Sequence, residues 1–192
     1  MNESILKLAP KGVWEEFKGI LNVPRPSKKE EKMVAYLEKW AKDHKIEYIK
    51  EKCGNIIMNV PATKGMEDRA IIVLQAHMDM VCEKNSDKVH DFEKDPIEAV
   101  IKGDWVHANG TTLGADDGIG VAAALAVITD PDVKHGPLEC IFTVDEETGL
   151  TGAQKLSPKD FKGRILLNLD SEDEGEIFIG CAGWMWAVMA AS

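Results

Sequence analysis

Three apolar runs in this chain end in side chains of the metal-ligand type, and this recurrence constrains the fold more than any other feature. Ile71-Ile72-Val73-Leu74 reads as a buried strand, and it delivers His77 and Asp79 where the strand should end. Side chains at i and i+2 of an extended chain point the same way, so an imidazole and a carboxylate sit side by side. "LECIFTV" leads in the same manner to Glu146 and Glu147, and "ILLNL" to Asp170. Asp116-Asp117 stands just before an alanine-rich run. Strands interleaved with helices predict an open α/β sheet, in which ligands lie outside the carboxyl ends of the strands. Four acidic or imidazole clusters therefore converge on one rim.

The intervening text supports this layout. A short helix is predicted around residues 13 to 20, and after Pro26 the pair Ser27 and Glu30 reads as a capping box. Met33, Val34, Leu37, Trp40 and Ala41 then keep one apolar stripe. Residues 55 to 60 and 70 to 75 read as strands joined by a polar turn containing Gly65, and 83 to 96 as a hydrophilic loop. A hairpin turning at Gly103-Asp104 follows, then a buried helix from Gly118 to Ile128, ended by Pro131.

Composition excludes several function classes. With 33 acidic against 23 basic residues and a net charge of −10, the chain offers no surface suited to nucleic acid or an anionic membrane. Cys53, Cys82, Cys140 and Cys181 form no C-x-x-C pair and are expected to be reduced and mostly buried. The first residues lack an apolar signal-peptide core, and no stretch reaches the roughly 18 apolar residues of a membrane span. The expected compartment is the cytoplasm.

The acidic motifs decide the chemistry. Gly114, Gly118 and Gly120 in "LGADDGIG" do not fit the dinucleotide-binding spacing, and two carboxylates would repel a pyrophosphate. One of Asp116 and Asp117 is expected to cap the following helix. Glu146 and Glu147, if extended, face opposite ways, so that one binds a metal while its neighbour faces a bound water. Asp170 ends an apolar run, where a buried carboxylate needs a cation or several donors. A carboxylate-rich set with one strong imidazole suits zinc, and also manganese or cobalt. One shared carboxylate lets two metals clamp a water, and a further carboxylate serves as proton shuttle.

"AHMDMVCEKN", "ANGTTLGADDGIGVAAALAV", "HGPLECIFTVDEETGLTGA" and "LNLDSEDEGEIFIGCAG" resemble the aminoacyl-histidine dipeptidases, the Xaa-His dipeptidase or peptidase D family of co-catalytic zinc peptidases. The resemblance runs to about Gly183. It implies an α/β catalytic domain with a mixed central sheet flanked by helices, two Zn2+ per complete active site, and hydrolysis of Xaa-His or carnosine-like dipeptides. It further implies that His77 binds one zinc, Asp116 bridges both, Asp170 completes the first site and Glu147 binds the second. Asp79 would orient His77, and Glu146 would be the general base. His107 and His135 match no ligand position and are read as structural, and His44 and His90 are assigned no chemistry.

This sequence departs from the family in length. Members are more than twice as long, with a lid and dimerisation domain followed by a returning segment that carries a last histidine ligand. Residues 1–183 are therefore expected to be the N-terminal portion of a catalytic domain, with homodimerisation a property of full-length relatives. The twelve residues from Cys181 onward carry no charge, and 184–192 form an atypical apolar tail. This tail is read as the product of a shifted reading frame, since its tryptophan and methionine codons, read one base earlier, encode an acidic, glycine-bearing turn. The rival expectations are a non-catalytic fragment, or the same fold acting as a tripeptidase or N-acyl amino-acid deacylase.

Overall fold

The computed structural model describes residues 2–171 and 175–180, so the apolar tail lies outside the described residues. After a 3-10 turn at Glu3–Lys7 come helix α1 (Lys11–Leu21) and helix α2 (Glu31–Asp43). Strands β1 (Glu47–Lys50), β2 (Ile56–Val60) and β3 (Ile72–His77) precede a hairpin of β4 (Ala99–Lys102) and β5 (Trp105–Ala108). Helix α3 (Ala115–Thr129), strand β6 (Leu138–Thr143), the short helix α4 (Thr151–Lys155) and strand β7 (Ile165–Asn168) complete the order.

The sheet runs β1-β2-β6-β3-β7 and is mixed, as expected. β1 and β2 pair antiparallel, as do β2 and β6, whereas β3 is parallel to both β6 and β7. β2 and β3, though joined by a polar turn, are not neighbours, because β6 is inserted between them. The three parallel strands end on the same rim, which brings together the residues that follow His77, Thr143 and Asn168. The hairpin turns at Gly103-Asp104 as its sequence predicts, with Gly103 in the left-handed region at φ 61°.

Strand periodicity sorts the core into two layers. Ile56, Met58, Val60, Leu74, Ala76, Leu138, Cys140 and Phe142 face the helices, whose apolar stripes include Phe17, Ile20, Leu37, Trp40, Val121 and Leu125. Ile57, Val73 and Ile141 face the opposite way, beneath Leu156 and Phe161. Fully buried Phe142 lies one turn of chain upstream of the acidic segment at 145–147. Phe142→Ala is expected to destabilise the fold by about 3–5 kcal/mol in denaturant titration, the transfer and cavity cost of a core aromatic. A loss under about 1 kcal/mol would mean that β6 is not central to the core.

β1 lies outside the strands expected from the sequence and is held in register against β2 without an apolar alternation. Two sequence expectations are corrected. The run at β7 is not buried: Ile165, Leu166 and Leu167 are each about half exposed at the sheet edge. Of the cysteines among the described residues, only Cys140 is buried, and Cys53 and Cys82 are intermediate.

Candidate metal centre

His77 closes β3, with its side chain 1% exposed, and the other ligand-type groups gather around it. Its Nε2 lies 2.8 Å from Asp116 Oδ1 and 3.8 Å from Asp170 Oδ2. On the other side of the ring, Nδ1 lies 3.3 Å from Asp79 Oδ1, close enough for ion pairing but outside hydrogen-bond alignment. Two overlapping triads result, His77–Asp116–Glu147 and His77–Glu146–Asp170, each with ligand atoms within 4.8 Å of one another. Five of the residues singled out in the sequence thus make up the triads and Asp79 adjoins His77, with the side chains coming from the ends of β3, β6 and β7 and from the start of α3.

Local structure explains how each side chain is presented. Asp116 and Asp117 have non-helical backbone angles at the head of α3, which turns regular only from Gly118. They divide the work foreseen for the pair. Asp117 is buried, and its Oδ1 accepts from the Gly120 amide at 3.2 Å, the capping bond, while Oδ2 accepts from the His77 amide at 3.2 Å. Asp116 keeps its side chain 70% exposed and turned to the imidazole. Glu146 and Glu147 are not extended, as the alternation argument supposed. They enter a turn in which the Glu146 carbonyl accepts from the amides of Gly149 and Leu150, and this turn brings both carboxylates to the same imidazole. Asp170 is not buried either, its side chain being 29% exposed beyond the edge strand.

Asp79 links these parts. Fully buried, it accepts from the amides of Glu146 (3.0 Å) and Glu147 (3.3 Å) and from the Ser27 hydroxyl (2.7 Å). Ser27 therefore serves Asp79 and not the end of α2, because a buried carboxylate needs donors more than a solvated helix end does. Glu30, the other half of the expected capping box, accepts from the Lys28 amide at 2.8 Å and from the distant Asp145 amide at 3.0 Å. Sequence reasoning missed both of these roles, and the buried Arg25 as well. The only local hint is an arginine flanked by Pro24 and Pro26, where a helix cannot form.

The electrostatics follow from this crowding. Burial works against a charged His77, yet the adjoining charges of Asp79 and Asp170, with the hydrogen bond to Asp116, outweigh it and raise the imidazole to about 10. Burial also works against Asp79, but His77, the Glu146 amide and Ser27 hold its carboxyl below the usual value. Burial and the Asp170 charge push Asp117 up to about 7. Burial, with neighbouring carboxylates, raises Glu146 and Glu147. An excess of carboxylates around one imidazole is a site that favours a cation. The mixed nitrogen and oxygen donors fit zinc-type ligation.

A pH dependence follows for the metal-free protein. His77 is raised in the folded state from an ordinary 6.5 to about 10, so its contribution to stability is full below 6.5 and is lost as pH rises through 10. Asp117, raised from 3.8 to about 7, acts in the same direction over its lower window. Chelator-treated protein is therefore expected to melt at a lower temperature at pH 9 than at pH 7. A melting temperature that rises over this interval would contradict the His77 environment described here.

Fold and site together describe an α/β domain whose sheet rim gathers one imidazole and several carboxylates. The chain belongs to peptidase family M20/M25/M40, whose family model matches residues 73–182. It is 51% identical over 177 residues to the cytosol non-specific dipeptidase of Escherichia coli, covering 92% of this chain and 36% of that protein. Its structure is similar to aminoacylhistidine dipeptidase from Vibrio alginolyticus, with a TM-score of 0.90 and 49% identity over 92% of this chain and 36% of the other. Aminopeptidase PepT from Bacillus cereus matches with a TM-score of 0.71 and 28% identity, over 85% of this chain and 44% of its own. The chain spans about a third of the length of the E. coli and Vibrio relatives. No helix among the described residues is long and apolar enough to cross a membrane.

Proposed function

We propose that residues 1–183 form the N-terminal portion of the catalytic domain of a dinuclear zinc dipeptidase acting on Xaa-His or carnosine-like substrates. The observation that carries this reading is the gathering of His77, Asp116, Glu146, Glu147 and Asp170 at one rim in two triads that share His77, which group the carboxylates differently from the ion sites that the family resemblance implies. His77, Asp116 and Asp170 would hold one ion, and Asp116 and Glu147 the other, with Mn2+ or Co2+ as possible substitutes for Zn2+. When bound, zinc supplies Lewis-acid charge and acidifies water. Asp79, placed at Nδ1, leaves Nε2 of His77 facing the ligand side and fixes the ring. Glu146 takes a proton from the attacking water and hands it to the leaving amine, a role suited to a carboxyl raised above its usual value.

The relatives' names support a small peptide as substrate, and that of the E. coli protein supports a cytoplasmic setting. The excess of acidic residues speaks against nucleic-acid and membrane partners. A lid and a further histidine ligand would come from polypeptide beyond this chain, as would a homodimer interface, with 184–192 an atypical tail. The share of the relatives covered by this chain favours a second reading for it alone, a partial site that binds metal without turnover.

Steady-state assays of this chain with zinc and after chelation separate the readings, using Xaa-His dipeptides, tripeptides and N-acyl amino acids in parallel. Zinc-dependent release of histidine from dipeptides is the expected result for a complete catalytic unit. Metal binding without hydrolysis supports the partial site, preferential cleavage of the other substrates replaces the dipeptidase assignment, and the absence of both binding and hydrolysis refutes the metallopeptidase reading.

A further inference from the structure

Arg25 lies in the loop between α1 and α2, is 1% exposed, and heads the fully buried side chains by volume. Its Nη1 donates to the carbonyls of Met78 (3.1 Å) and Asp79 (2.9 Å), and its Nη2 donates to the carbonyl of Gly114. Its own carbonyl accepts from the Met80 amide at 3.1 Å. One residue thus binds the chain just after His77 and just before Asp116. These are the two backbone segments that carry the closest side-chain pair of the site.

Two of the three glycines of "LGADDGIG" find their explanation here. A Cβ on Gly114 would lie 2.5 Å from Arg25 Nη2, and one on Gly118 would lie 2.6 Å from the same atom. Gly114 also has φ 69°, which disfavours any side chain. Two glycines bracketing Asp116-Asp117 therefore make room for a guanidinium, not for a phosphate. A planar fork holds three carbonyls in fixed directions at once, whereas a lysine ends in a compact ammonium on a flexible stem, whose three donors are not held to those directions.

We infer that Arg25 is a positioning residue that sets the spacing of His77 and Asp116 by tying together the backbone segments that carry them, and that Gly114 and Gly118 serve to admit its guanidinium. The inference rests on the metal-centre reading of the cluster. A purely electrostatic role makes the opposite prediction for lysine, because the ammonium would keep the charge.

The test is Arg25→Lys in this chain, with the His77 imidazole followed by proton–nitrogen NMR in the metal-free protein and zinc affinity measured against a chromophoric chelator. The His77 Nε2 signal is expected to shift as its Asp116 partner moves, while the melting transition stays cooperative. Zinc affinity is expected to fall by about ten- to a hundredfold. Gly118→Ala, which keeps the charge and crowds the fork most closely, with the Phe17 ring next at 3.2 Å, is expected to reproduce both effects, and it provides the readout should Arg25→Lys not melt cooperatively. Unchanged imidazole signals in the cooperatively folded variant overturn the inference. Failure of the unmodified chain to take up zinc overturns the metal-centre reading instead, and the metal-free spectra still decide the role of Arg25.

Discussion

Glu146→Gln is expected to lower dipeptide turnover by about two to four orders of magnitude while leaving metal content unchanged, in a polypeptide that carries these motifs with a complete ligand set. Gln has nearly the same shape and keeps the turn, whose anchoring bond runs from the Glu146 amide to Asp79 and does not involve the side chain. What it loses is the ability to take a proton. Glu147→Gln, one residue on and held by the same Asp79, should behave differently, because it weakens the donor set shared with His77 and Asp116. Its signature is lower occupancy of one ion, with activity partly restored by excess zinc. Metal analysis with kcat measured on both variants checks the assignment, and the reverse pattern would exchange the two roles.

Saturating zinc is expected to raise the melting temperature of the unmodified chain, and His77→Ala to abolish that rise. A ligand at a hundred times its dissociation constant stabilises the folded state by about 2.7 kcal/mol, provided the unfolded chain does not bind it. For a domain of this size each kcal/mol is worth about 2–4 °C, so a shift of roughly 5–10 °C is expected. His77 is the only side chain common to both triads, so its removal dissolves them together. The same substitution leaves Asp79 buried without its imidazole neighbour, so some loss of metal-free stability should accompany it. Thermal melts with zinc, with chelator and with the variant decide the matter. An unchanged zinc shift in His77→Ala would place the metal elsewhere.

Much of the fold was legible because its signals are local. The stripe of α2, the hairpin at Gly103-Asp104 and the apolar runs of β2, β3 and β6 each occupy a few consecutive residues, where periodicity and turn chemistry act directly. The strand order was not legible, since inserting β6 between β2 and β3 is a choice among long-range pairings that each strand could make equally well. β1 gave no apolar signal because it is an edge strand stabilised by its ladder to β2.

The sequence by itself determined which ligand-type residues lie at the rim: His77, Asp79, the Asp116-Asp117 pair, Glu146, Glu147 and Asp170 could be named because each ends or opens an element, and open α/β sheets collect such ends. Only the tertiary structure decided how the work is divided among them. It made Asp117 the cap and left Asp116 beside the imidazole, because the backbone bends at this pair before α3 becomes regular. It took Ser27 and Glu30 from the helix end and gave them to Asp79 and the Asp145 amide, and it buried Arg25 between segments more than thirty residues apart. The physical reason is the same in each case. A buried polar group must find its partner within about 3 Å wherever the fold supplies one, and sequence distance places no limit on which partner that is.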